Sequence, residues 1–319
     1  MRILLIVVLF SFTNSSSAQV NFSPNWKVGA EKLIIRTQTR TDYANEEVQK
    51  EEVEVDSLFI KVVDEKETYY EVEYAYGADL LEFILETLPD ASNDLKEKAQ
   101  LDIRYAISKD NGKVDILNWE EIEEYTGPRM EAIKSKLLEA DSGVAFFIGL
   151  ILKPLMLPLS SKENAIAFFE SDLGLLLLPY KSSYQLGDTL TTVSMESNPM
   201  QAGQDLECKA ITCLKQNNEQ KKQAVFYHSK AYDMTAFLEM LKGMMTDMIE
   251  SMPGDKAKKT EELAKIEEMK MEISNSELIY YNTETTWVEK IEIDGLVKGY
   301  DPKLQADMRT EIKISIEVK

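Results

Sequence analysis

EIKISIEVK, residues 311–319, alternates without a break: Ile312, Ile314, Ile316 and Val318 fall on one side, and Glu311, Lys313, Ser315, Glu317 and Lys319 on the other. Successive side chains of a strand point to opposite faces, so this pattern predicts a strand with one dry and one wet face, the mark of an antiparallel sheet packed on one side. YEVEYAY (70–76) repeats it, with Tyr70, Val72, Tyr74 and Tyr76 opposed to Glu71 and Glu73. EKLIIRTQTR, EEVEVDSLFIKVV and WVEKIEIDGLV read the same way, less cleanly. In LDIRYAISKDNGKVDILNW, Asn111-Gly112 predicts a hairpin with a two-residue type I′ turn, because both residues tolerate positive φ.

The middle of the chain changes period. Asn118-Trp119-Glu120-Glu121 predicts a capped helix start, interrupted at Gly127-Pro128. DMTAFLEMLKGMMTDMIESMPG (233–254) places Met234, Phe237, Leu238, Leu241, Met245, Met248 and Met252 on one helical face, and Pro253-Gly254 ends it. Between these lies the greasiest part of the chain. Val144 to Leu152 is an unbroken apolar run, followed by AIAFFE (165–170) and by Leu175 to Leu178. Lys153, Pro154 and Pro158 cut the first run at about half the ~20 residues a bilayer span needs, so residues 144–180 read as buried. They form either a core plug or the wall of an apolar pocket, and the methionines of 234–252 suit either role. The pocket-wall candidates are Phe146, Phe147, Leu150, Leu175, Leu177, Met244 and Met248.

The N-terminus, MRILLIVVLFSFTNSSSAQ, has one basic residue, a short apolar core and small residues before Gln19. This predicts a secretory leader over 1–18, and hence a periplasmic or secreted product with no membrane span left after cleavage. The chain carries 36 Lys+Arg against 56 Asp+Glu, a formal net charge of −20, and losing Arg2 with the leader makes it −21. Such a charge repels phosphates, which excludes nucleic acid as a partner, and it keeps the protein soluble. Cys208 and Cys213 on one straight strand would stand roughly 16 Å apart, too far for a disulfide, so both read as free thiols.

Signatures of catalysis are missing. His228 is the single histidine, too little for a zinc site with two separated cysteines, and no nucleophile motif accompanies it. There is no G-x-S-x-G and no calcium-loop pattern, and GDKAKKT (254–260) lacks the second glycine of a phosphate loop. The sequence therefore predicts no catalytic residues, no metal and no cofactor. Trp26, Trp119 and Trp287 each open a strand or helix and read as anchors at the edge of the core.

Short matches recur at near-equal offsets. Trp26-Lys27-Val28-Gly29 and Tyr184-Gln185-Leu186-Gly187 each lead into strands, 158 residues apart, and YAYGADLLEFI (74–84) and KAYDMTAFLEM (230–240) each pass from strand to helix, 156 apart. These suggest two copies of one unit. Trp26 to Gly29, Tyr184 to Gly187 and the late strand pair YYNTETTWVEKIEI (280–293) also resemble uncharacterised exported proteins of Bacteroidota-type bacteria, some of them similar to periplasmic lipoprotein carriers. The resemblance implies a curved antiparallel sheet lined with apolar side chains and covered by helices. It implies Thr-Gly at the turn of the late pair, where this chain has Thr285-Thr286.

Together these readings predict an α+β protein: a large, curved, mostly antiparallel sheet or open half-barrel, with helices from 78–88, 119–172 and 233–268 over its concave face. After the leader, 19–319 forms a single β-rich domain, or two halves, 19–159 and 160–319. Its expected role is binding an apolar, lipid-like molecule between sheet and helices. The alternative is a structural or protein-interaction component of the cell envelope with a filled core.

Overall fold

The computed structural model describes residues 20–75, 102–124, 127–128, 131, 161–197, 205–251, 256–301 and 306–319. The leader, the helix expected at 78–88 and the apolar run 144–152 lie outside these residues.

Thirteen strands are described. Eleven of them form one curved, unclosed, antiparallel sheet. They are β2 (Glu31–Ala44), β3 (Glu47–Glu65), β4 (Tyr69–Ala75), β5 (Asp102–Ser108), β6 (Val114–Ile116), β8 (Thr189–Ser197), β9 (Asp205–Asn218), β10 (Gln223–Tyr232), β11 (Lys270–Asn282), β12 (Trp287–Asp301) and β13 (Ala306–Val318). The order across the sheet is β6-β5-β4-β3-β2-β13-β12-β11-β10-β9-β8. The chain thus enters at the middle, meanders to one edge, restarts at the opposite edge and meanders back until β13 pairs with β2 from Val318↔Ile34 to Met308↔Ala44. A two-residue ladder joins β1 (Val20–Asn21) to β7 (Ser183–Tyr184).

The alternating segments bury the residues their period selects. Tyr70, Val72 and Tyr74 of β4 are almost fully buried and face Ile107, Tyr105 and Ile103 of β5. In β13, Ile316 is buried while Glu317 and Lys313 are exposed. One face of the sheet, the core face, carries Val62, Val72, Tyr105, Ile116, Phe226, Ile279 and Ile291 in a single cluster. Helix α1 (Lys162–Leu177) and the 3₁₀ turn Leu178–Tyr180 pack into it. The Ser161 hydroxyl caps α1 by accepting from the Asn164 N–H at 3.2 Å. Helix α2 (Thr235–Ser251) starts where the Asp233 carboxylate accepts the Thr235 N–H at 2.9 Å. Phe237 on its first turn, and Met234 just before it, enter a second, smaller cluster with Leu206 and Ile273. Helix α3 (Lys256–Glu267) follows, mostly wet, with Ile266 buried. Cover by helices is therefore described at α1 and the first turns of α2.

Several hairpins close with turns the sequence does not announce. The Asn111-Gly112 hairpin forms, but as a four-residue loop between Ser108 and Lys113 in which Gly112 alone has positive φ (+64°), instead of the expected two-residue type I′ turn. The type I′ geometry is found at Asn45-Glu46, both at positive φ, between Ala44 and Glu47. Loops 219–222 and 283–286 repeat the four-residue pattern, ending on Lys222 (φ +50°) and Thr286 (φ +57°). Gly127 and Pro128 are both helical, and the expected break between the helix begun at 119 and a second piece falls on residues that lie outside those described.

Thr286 occupies the position where the resemblance leads one to expect glycine. The left-handed backbone is kept, at a cost for a β-branched residue of about 1–2 kcal/mol. Its hydroxyl accepts the Asn25 N–H at 2.9 Å, an exposed bond of modest worth, whereas its carbonyl, which any residue supplies, accepts from Trp26 Nε1 at 3.0 Å and from the Tyr180 hydroxyl. Thr286→Gly is therefore expected to stabilise the protein by about 1 kcal/mol in urea denaturation. A loss of stability would show that the hydroxyl outweighs the strain.

Gly29 and Gly187 share φ of +85°, and each closes an equivalent turn, through Ala30 N–H to Lys27 O (2.9 Å) and Asp188 N–H to Gln185 O (3.1 Å). Both stand just before the first long strand of their half, and β2 and β8, like β3 and β9, begin 158 residues apart.

Candidate functional site

Two places on the sheet gather polar chemistry. The first is a row on the core face. Thr212, His228 and Glu277 are direct cross-strand partners on β9, β10 and β11, so the strand register alone aligns them. Thr212 Oγ1 lies 2.8 Å from His228 Nδ1, and His228 Nε2 lies 3.9 Å from Glu277 Oε2. His228 and Glu277 are 6% and 3% exposed, so both pay for burial of charge. Burial, then the nearby Lys230 charge, pull the His228 imidazole down to about 4. Burial pushes the Glu277 carboxyl up to about 7, against the pull of Lys230 and a hydrogen bond from Asn275. At neutral pH the imidazole is uncharged, so the 3.9 Å approach is not an ion pair, and Glu277 Oε2 has no hydrogen-bond partner among the described residues.

One turn of the pleat away, Lys230 Nζ donates to Glu196 Oε2 at 2.7 Å, and Tyr232 and Cys208 stand beside the same carboxylate. Burial raises the Glu196 carboxyl, but the Lys230 ammonium outweighs it and holds the group below its ordinary range. Burial, reinforced by Glu196, pushes the Cys208 thiol up to about 11, which leaves it a poor nucleophile. Cys208 and Cys213 are both free.

Thr212, His228 and Glu277 have the residue types of a nucleophile, a base and an orienting acid. The geometry does not perform that chemistry. A His228 pulled down to about 4 is a weak base, and 3.9 Å is too long for Glu277 to orient the ring by a hydrogen bond. The row acts instead as a polar seam between the two apolar clusters. Among the described residues no group of three or more His, Cys, Asp or Glu side chains is placed to hold a metal ion.

The second place is a trough of about 700 Å³ on the outer face, lined, among the described residues, by β9 to β13. Its floor is low because Ser229, Ala231, Ser274 and Ser276 are small, while Tyr227, Ile211, Leu296 and Lys313 rise around it. A neighbouring hollow of about 460 Å³ shares Tyr227, Ser276, Asp294 and Lys313 with it and carries the depression on to Thr37 and Thr39 of β2. Lys215 lies over the Tyr227 ring at 4.3 Å from its centroid. At the margins of the same face, Val53 and Val55 of β3 and Val193 and Met195 of β8 are about 60–65% exposed.

The pocket-wall candidates are placed as follows. Leu177 is buried in the main cluster, and Leu175 packs against it. Met244 is 56% exposed on α2. Phe146, Phe147 and Leu150, and the side chain of Met248, lie outside what the structure describes. Of the three described side chains, Leu175, Leu177 and Met244, neither hollow takes any in its lining. The trough escapes sequence reading because its residues are the wet half of each alternating strand, which individually read as ordinary surface.

No family model matches this chain, and no curated protein matches it. Among the described residues no helix is long and apolar enough to cross a membrane.

Proposed function

We propose that this protein is an exported interaction component of the cell envelope that binds a macromolecular partner across the outer face of its sheet. One observation carries this reading: the outer face bears a trough of about 700 Å³ whose described lining comes from strands β9 to β13, flanked by exposed valines and a methionine. Interaction sites on soluble proteins are marked by such exposed apolar residues with polar neighbours. The packing of the main cluster supports it too. Trp26 stacks on Trp287 at 4.3 Å, and Phe22, Phe226 and Tyr281 meet edge to face, so the space between α1 and the sheet is filled with rings. Leu175 and Leu177 belong to that filling. Export rests on the leader pattern of residues 1–18. A duplicated unit accounts for the matched turns at Gly29 and Gly187 and gives a sheet wide enough to offer the trough.

The test is photo-crosslinking in the native host, with a benzoyl-phenylalanine at Ser276 on the trough floor and, as control, at exposed Glu239 on α2. Discrete protein adducts from position 276 alone are expected. Identical adducts from both positions, or a stoichiometric lipid carried through purification in native mass spectrometry, would refute the reading.

A further inference from the structure

The sheet is unclosed and, among the described residues, has two long free stretches of edge. One is residues 47–58 of β3, since β4 pairs only with residues 59–65. The other is β8, paired with β9 alone. Both are exposed on both faces. They are defended differently. The β3 stretch carries Glu47, Lys50, Glu51, Glu52, Glu54 and Asp56, the charges by which edge strands resist pairing with other chains. β8, TLTTVSMES, has Glu196 as its single charge, and that carboxylate is turned to the core face and tied to Lys230 at 2.7 Å. Val193 and Met195 are 62% and 63% exposed on the outer face. β6, at the far end of the sheet, is three residues long and packs against α1.

We propose that β8 pairs antiparallel with β8 of a second copy of this chain, across a two-fold axis through Val193, doubling the eleven-stranded sheet. Charge selects this occupant. A body of net charge −20 repels its own kind except where its surface is uncharged, and β8 is such a place. The two-fold register sets Val193 against Val193, Thr191 against Met195, Thr192 against Ser194 and Leu190 against Glu196, so no like charges meet. The same operation on β3, centred at Val53, sets Glu52 against Glu54. With the axis perpendicular to the sheet, both troughs face the same side. The pairing stands independently of what the trough binds.

Sedimentation velocity on the leader-free chain at about 100 μM is expected to give twice the monomer mass. Val193→Lys, which opposes two ammonium groups, is expected to return it to monomer, and Val53→Lys to leave the dimer intact. Val193→Cys in a Cys213→Ala background is expected to form a disulfide-linked dimer on mild oxidation, since directly opposed Cα atoms lie about 4.5–5.5 Å apart. Monomer at that concentration, a dimer indifferent to Val193→Lys, or open-ended higher oligomers would each overturn the proposal.

Discussion

Trp287→Ala is expected to lower the unfolding free energy by about 3–5 kcal/mol, measured by urea denaturation. Trp287 is 7% exposed and its ring stacks on Trp26 with an interplanar angle of 16°. Trp26 in turn meets Tyr70 at 5.5 Å and Tyr180 at 5.9 Å, and its Nε1 donates to Thr286 O at 3.0 Å. Removing one indole leaves a void bounded by β4, the 3₁₀ turn and the β11–β12 loop, none of which can collapse alone. Trp26→Ala is expected to cost a similar amount. The double variant is expected to cost less than the sum by about 0.5–1.5 kcal/mol, the share of ring stacking. A loss below 1 kcal/mol for Trp287→Ala would mean that the joint is not part of the cooperative core.

The second large effect is in pH. Glu277 titrates at about 7 when folded against an ordinary 4.5, so the folded state holds the extra proton between those values. The stability this gives is complete below 4.5 and is lost as pH rises through 7, by about 3 kcal/mol. His228 titrates at about 4 when folded against an ordinary 6.5, so its contribution is present above 6.5 and is lost as pH falls through 4, again by about 3 kcal/mol. Between 4.5 and 6.5 the two slopes oppose each other and cancel. Single variants separate them. Relative to the parent chain, Glu277→Gln is expected to gain about 3 kcal/mol between pH 4.5 and 7, and His228→Gln to gain about 3 kcal/mol between pH 6.5 and 4. Subtracting the parent removes what the rest of the molecule contributes, including the charges of Lys230, Glu196 and Lys181 that act on the row. Denaturation curves at four pH values suffice, and parallel profiles for the two variants would refute the assignment.

What the sequence discloses follows from which signals are periodic. Tyr70, Val72 and Tyr74, and Ile312 to Val318, announce their strands because a half-buried sheet imposes a period of two and nothing else in the chain competes. Met234 and Phe237 announce α2 in the same way. The turns are less legible. Asn45-Glu46, Lys222 and Thr286 adopt positive φ without glycine, and among the described hairpin loops only that of Gly112 advertises itself by a glycine. The strand order was beyond reach as well, since no local pattern says that β13 returns to β2. Register hides the polar row too: Thr212, His228 and Glu277 stand far apart in sequence, and only the pairing of β9, β10 and β11 brings them into line. The trough depends on the same pairing, because small residues form a hollow only when they fall side by side.

The seam between β2 and β13 has a consequence for how the molecule is made. Ile34 finds its partner in Val318, 284 positions further along, so a chain emerging amino end first must carry β2 with one side bare until the thirteenth strand arrives. Long-range closure of this kind is slow and leaves intermediates that stick to one another. On the export proposed above, that delay would have a use: the sheet cannot knit across the middle before nearly all of the chain has passed a translocation pore, so completing the passage and completing the fold would be one event.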